Sequence, residues 1–165
     1  MKKKFKSLVK RKLDGLNLAP FYGCYLVRPS KALRFYENPE RETCLEDLTE
    51  WVGAKPTEYA GSRACCGFPI LTINEKAALK MVGNHTSTAK DLGADAMVTP
   101  CPLCHLNLDQ YQNRAAGMMK REIDIPIIHV PQLVGLALGL DPKELKINKH
   151  IISTKKLLSE ISLRP

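Results

Sequence analysis

The sequence predicts an α/β fold: a small, mainly parallel sheet flanked by helices, with cysteine ligands on loops at one sheet edge. Three observations carry that prediction. Short apolar stretches such as DAMVTP and IDIPIIHV alternate with segments of helical periodicity. Capping signals stand just ahead of two of the helical segments. The cysteines, Cys44 aside, fall in or just after the strand candidates.

The elements follow in chain order. Residues 1–18 read as a basic amphipathic arm and 19–165 as a single domain. Seven of the 25 basic residues lie in the first twelve positions, with Phe5, Leu8, Val9, Leu13 and Leu16 at helical spacing. Such a charge field suits docking on an acidic partner subunit, although terminal charge runs are as often simply solvated. PFYGCYLVRP has the composition of a short buried strand ending at Pro29. Thr43 and Glu46 have capping-box spacing, and Leu45, Leu48, Trp51 and Val52 follow before Gly53, which predicts a short helix. PTEYAG is a brief strand entering the loop SRACCGFPI. Thr72 and Glu75 repeat the capping-box spacing ahead of a longer helix through about Leu92, closed by Gly93. DAMVTP is a strand that runs at once into a C-x-x-C and a helical stretch toward Met119. IDIPIIHV is another strand, PQLVGLALGL a helix with Pro131 near its first position, and HIISTKKLLSEISL a last helix.

Composition narrows the function. A chain of 165 residues with 44% hydrophobic and 25% charged content suits one soluble domain. No apolar run approaches the ~20 residues of a membrane span. The N-terminus begins like a signal peptide but has no uninterrupted apolar core and no small-residue cleavage site. The expectation is a cytoplasmic protein, peripheral to a membrane only through partners, whose thiols stay reduced and serve as ligands or redox groups. The net charge of +8 is concentrated at one end, aromatics are few, and no nucleic-acid-binding signature is present, so nucleic acid is not an expected partner. Hydrolase triads, Walker loops and G-x-G-x-x-G patterns are absent as well.

The stretch TPCPLCHLN carries Cys101 and Cys104 as a C-x-x-C, which suits zinc, an iron–sulfur group or a redox dithiol, and with His105 reads as a haem-attachment pattern. Haem attachment requires export, which this N-terminus does not support. Pro102 fits a first helical position, and a helix start lowers thiol pKa. Vicinal Cys65 and Cys66 strain any disulfide between them and are better understood as two ligands of a multi-iron centre. Gly67 behind them removes a side chain where backbone approaches a cofactor. With Cys24, three strand-following segments bring five sulfurs to the carboxyl edge of the sheet. Four of these sulfurs suffice for a closed zinc site, so zinc remains an alternative occupant, as does a metal-free dithiol exchanger built on Cys101 and Cys104. Cys44 reads as structural. His105 is placed behind the metal ligands, while His85, His129 and His150 read as isolated, satisfied histidines. Arg28 and Arg63 flank the motif segments, as cluster-neutralising, anion-binding or plain surface charges.

YGCYLVRPS, ACCGFP, GADAMVTPCPLCHLNLD and IPIIHVPQLVGLALGL together resemble the second half of the B subunit of heterodisulfide reductase, whose repeating unit is the cysteine-rich CCG domain. The motif runs Cys24, 40 residues, Cys65-Cys66-Gly67, then 34 residues after Cys66 to Cys101-Pro-Leu-Cys104, its first gap at the long end of the family pattern. The resemblance implies that Cys24, Cys65, Cys66, Cys101 and Cys104 hold a non-cubane [4Fe–4S] cluster. It implies an oxidoreductase subunit rather than a complete enzyme, passing electrons to a disulfide or related sulfur substrate. Two such domains face each other in that family, so it also implies a second CCG domain from a partner or symmetry mate, and an iron–sulfur electron donor. Related CCG domains occur in succinate, glycolate and lactate dehydrogenase-type complexes, where some bind zinc or lack a cluster. An assembly module without chemistry is therefore the alternative.

Overall fold

In a computed structural model, which describes residues 2–162, the chain builds a parallel sheet covered by helices on both faces. It opens with α1 (Lys2–Lys6) and enters the sheet as β1 (Asn17–Pro20). Two short helices, α2 (Ser30–Leu33) and α3 (Pro39–Glu42), precede α4 (Cys44–Trp51) and β2 (Lys55–Pro56). A loop and a 3₁₀ turn at Phe68–Ile70 lead to α5 (Glu75–Asp91), β3 (Ala96–Thr99), α6 (Pro102–Gln110) and α7 (Gln112–Met119). Then come β4 (Ile127–His129), α8 (Val130–Ala137), a second 3₁₀ turn at Ile147–Lys149 and α9 (Lys155–Ser162). The predicted last helix extends to Leu163, which lies outside the described residues.

Strand order is β2-β1-β3-β4, all parallel, with Leu18 opposite Ala96 and Val98 opposite Ile128. From β1 the chain crosses to one side, and from β2 it crosses back over to the other. The order therefore reverses between β1 and β3, where open α/β sheets form a ligand crevice beyond their carboxyl ends. Side-chain alternation divides the core between the two faces. Leu18, Val98 and Ile128 pack with Leu13, Leu16, Val52, Leu133 and Leu136. Ala19, Met97 and Ile127 pack with Phe21, Val82, Cys104 and Leu108 on the other face. Two ligand candidates, Cys66 and Cys104, thus belong to one hydrophobic layer.

Several local expectations are corrected. The first strand lies earlier than PFYGCYLVRP: Leu18 and Ala19 pair with β3, and Gly23, at φ +68°, turns the chain before Cys24. The helical spacing through Leu16 is helical only over α1; Leu13 is instead held by its N–H donating to the Val52 carbonyl at 2.9 Å, and both leucines enter the core. Thr43 stands at the cap of α4 without a capping bond, because Glu46 accepts from the Tyr22 hydroxyl instead. Asn74, not Thr72, caps α5, its side chain accepting from the Ala77 N–H at 3.0 Å. The helical stretch toward Met119 breaks at Tyr111 into α6 and α7. There the fully buried Gln112 side chain bonds the Leu108 carbonyl and both backbone groups of Ile125.

Candidate functional site

Each cysteine of the motif follows a strand. Cys24 lies in the turn after β1, Cys65 and Cys66 in the loop after β2, Cys101 caps α6 directly after β3, and Cys104 is in its first turn. Cys66 and Cys104 pack in one layer with Cys101 against it, and a Cβ on Gly23, the residue before Cys24, would lie 2.7 Å from Cys104 Sγ. Each thiol acts electrostatically on the next in one series, Cys24–Cys65, Cys65–Cys66, Cys66–Cys104 and Cys104–Cys101. All five predicted positions therefore meet at the carboxyl edge, beside the β1–β3 switch. Cys66 and Cys104 are 2% and 1% exposed, the other three half-buried. Cys44 stands apart on the surface, with Tyr22 and Glu46 as its neighbours, so it is not a buried structural thiol.

The electrostatics divide the thiols. Cys66 is lowered to about 7, first by the hydrogen bond from Cys104 and further by the backbone N–H of Phe68. Cys104, the proton donor of that pair, is raised, chiefly by the same bond and then by burial. Burial also raises Cys24, with the neighbouring Cys65 next in effect. Thiolate character resides on Cys66 rather than on Cys104, because Cys66 accepts hydrogen bonds that Cys104 does not.

Groups from distant elements hold these loops. His85 of α5 donates through Nε2 to the Cys65 carbonyl at 2.9 Å, and burial lowers its pKa, keeping it neutral. Asn107, fully buried one turn beyond Cys104, donates to the Cys66 carbonyl at 2.8 Å. Gly67 N–H donates to Cys65 Sγ at 3.4 Å. At Gly67, φ is +95° and a Cβ would meet the backbone of Ala78 at 3.0 Å, so its need is close packing on α5 rather than room for a cofactor. Gly23 is the glycine that faces a motif sulfur: a Cβ there would lie 2.7 Å from Cys104 Sγ. Arg63 serves the loop itself, donating to the Glu42 carbonyl and lying 5.4 Å over the Tyr22 ring. Arg28 reaches only the Arg63 carbonyl, at 3.5 Å.

The histidines are not isolated. His105 lies 4.7 Å from His150 and 5.8 Å from His129, ring to ring. His105 Nε2 bonds the Ile127 carbonyl and His129 Nε2 the Pro100 carbonyl, each at 3.1 Å. His129 thus fixes the residue just before Cys101. An apolar hollow of about 330 Å³ opens beside that cysteine, lined by Tyr25, Leu26, Pro100, Pro102 and Leu103.

Among the described residues no three His, Cys, Asp or Glu side chains are arranged around one metal ion. The zinc alternative therefore has no support, since zinc draws four ligands to one centre. A multi-iron group takes its thiolates on separate irons, and a thiol series spread over three loops fits that demand.

A family model described as the cysteine-rich CCG domain matches residues 18–109. The chain is 41% identical over 152 residues to the 8-methylmenaquinol:fumarate reductase membrane anchor subunit of Wolinella succinogenes, covering 92% of this chain and 53% of that one. It is 34% identical over 160 residues to the B subunit of the ferredoxin/F(420)H(2)-dependent CoB-CoM heterodisulfide reductase of Methanosarcina acetivorans, covering 96% and 53%. The chain therefore spans about half the length of these curated relatives. A crystal structure of a hypothetical protein from Helicobacter pylori shares the fold, at a TM-score of 0.68 and 18% identity, over 92% of this chain and 28% of that one.

Proposed function

This chain belongs to the cysteine-rich CCG domain family that includes the B subunit of heterodisulfide reductase, and from that premise we propose that it is a redox subunit of a heterodisulfide reductase-like complex. Cys24, Cys65, Cys66, Cys101 and Cys104 hold its non-cubane [4Fe–4S] cluster. The observation that carries the reading is that the five motif cysteines stand on three strand-following loops at the β1–β3 switch, with Cys66, Cys104 and Cys101 packed together.

When bound, such a cluster supplies one-electron chemistry at sulfur-ligated iron. The chain's own residues prepare for it. Cys66, lowered to about 7, gives up its proton readily, as a metal ligand must. His85 and Asn107 fix the two carbonyls of the vicinal pair, which orients both sulfurs. The open apolar hollow beside Cys101 receives the substrate sulfur. Reduction of a disulfide to two thiols consumes two electrons and two protons. In this reading, as the family resemblance implies, the electrons come from a partner iron–sulfur subunit and a second CCG domain completes the site. Among the described residues no helix is long and apolar enough to cross a membrane.

The test is titration of the anaerobically loaded, oxidised chain with a small thiol, read by EPR. The reading predicts a spectrum that changes with thiol; an unchanged spectrum refutes a sulfur substrate at this site. Full cofactor retention in a Cys65→Ser, Cys66→Ser double variant would refute the five-ligand assignment.

A further inference from the structure

Tyr59 stands in the segment between β2 and the vicinal cysteines. Its ring packs in the layer that contains Phe21, Cys66 and Cys104. Gly61 permits this placement, since a Cβ there would come within 3.0 Å of the Tyr59 ring and 2.9 Å of His85 Nδ1. The Tyr59 hydroxyl is buried and has no hydrogen-bond partner among the described residues. A buried hydroxyl without a partner is unfavourable, so this donor calls for an acceptor.

Cys104 presents the complementary deficit. As a thiol it donates to Cys66, but a metal-bound cysteine has lost its proton and becomes an acceptor only. At 1% exposure, that new negative charge is out of reach of water. The orphaned donor and the future acceptor belong to the same packed layer, Tyr59 lying against the cluster that holds Cys104. Burial, first, and the charge of the Cys104 sulfur, second, hold the Tyr59 hydroxyl protonated.

We propose that the Tyr59 hydroxyl donates a hydrogen bond to the Cys104 sulfur when that sulfur is metal-bound, as a positioning residue that raises the reduction potential of the group held there. The inference rests on the cluster reading above. A donor to a thiolate ligand stabilises the more negative, reduced state over the oxidised one, and hydrogen bonds to sulfur set such potentials.

The test is Tyr59→Phe in the full chain, loaded anaerobically, with iron content and an EPR-monitored redox titration. Iron per chain stays at the wild-type level. The equilibrium shifts about tenfold toward the oxidised state, a fall of about 59 mV for one electron. An unchanged midpoint overturns the inference and leaves the cluster reading standing; it is also the outcome if water satisfies the hydroxyl. Wild-type protein that takes up no iron overturns both. Should Tyr59→Phe lose its cofactor, 3,5-difluorotyrosine at position 59 keeps the shape and strengthens the donor. Its midpoint rises under this proposal, and an unmoved midpoint overturns it.

Discussion

Gly23→Ala tests the placement of Cys104 through a residue that is not itself a ligand. Two effects act on the substituted chain. Gly23 sits at φ +68°, a left-handed conformation that costs an alanine about 1–2 kcal/mol. Its new Cβ would also stand 2.7 Å from Cys104 Sγ, about 0.7 Å inside the 3.4 Å at which ordinary contact begins. Metal–ligand distances hold to within about 0.2 Å, so a sulfur displaced by several times that tolerance loses its iron. Gly93→Ala separates the two effects. Gly93 has φ +79°, and a Cβ added there would meet nothing within 4 Å, so that variant carries the backbone cost alone. The assay is urea unfolding for stability and iron per chain after anaerobic loading. Both variants lose about 1–2 kcal/mol, Gly93→Ala keeps its iron, and Gly23→Ala loses most of it. A Gly23→Ala protein with wild-type iron content and spectra would refute the placement of Cys104 as a ligand.

Three further outcomes are expected. Cys44→Ser leaves iron content and EPR spectra at wild-type values, because Cys44 is exposed and its neighbours are Tyr22 and Glu46 rather than other thiols. Gln112→Ala removes bonds to the Leu108 and Ile125 backbones and lowers unfolding stability by roughly 3 kcal/mol, measured in urea. Stability falls with acid below about pH 6.5: burial holds His150 below its ordinary value of 6.5 against the opposing charge of Asp109, so the unfolded chain takes the proton first as pH drops. Urea midpoints at neutral and mildly acid pH check this, and His150→Gln flattens the slope.

Much of the fold was legible because period and punctuation agreed. DAMVTP became β3 and Pro102 opened α6, since an apolar run ended by Pro leaves the chain few alternatives. The first strand was misplaced because the aromatics of PFYGCYLVRP fill the core after leaving the sheet: Phe21 and Tyr22 are fully buried without pairing as strand. The five cysteines were legible as a group through their spacing. What supports them was not. His85 and Asn107 reach their carbonyl partners across 20 and 41 residues, and such contacts leave no local pattern. Two weak signals existed: Asn107 follows Cys104 by one helical turn, and Gly23 directly precedes Cys24. The grouping of His105, His129 and His150 depends on β4 lying beside β3, which topology alone decides.

The most direct measurement is iron, acid-labile sulfide and zinc per chain in protein purified without oxygen, taken with the EPR spectrum of the oxidised state. The five-cysteine site predicts about four irons and four sulfides, little zinc, and an oxidised-state signal. One zinc without iron, or a folded chain with no metal and a titratable Cys101–Cys104 disulfide, would contradict it.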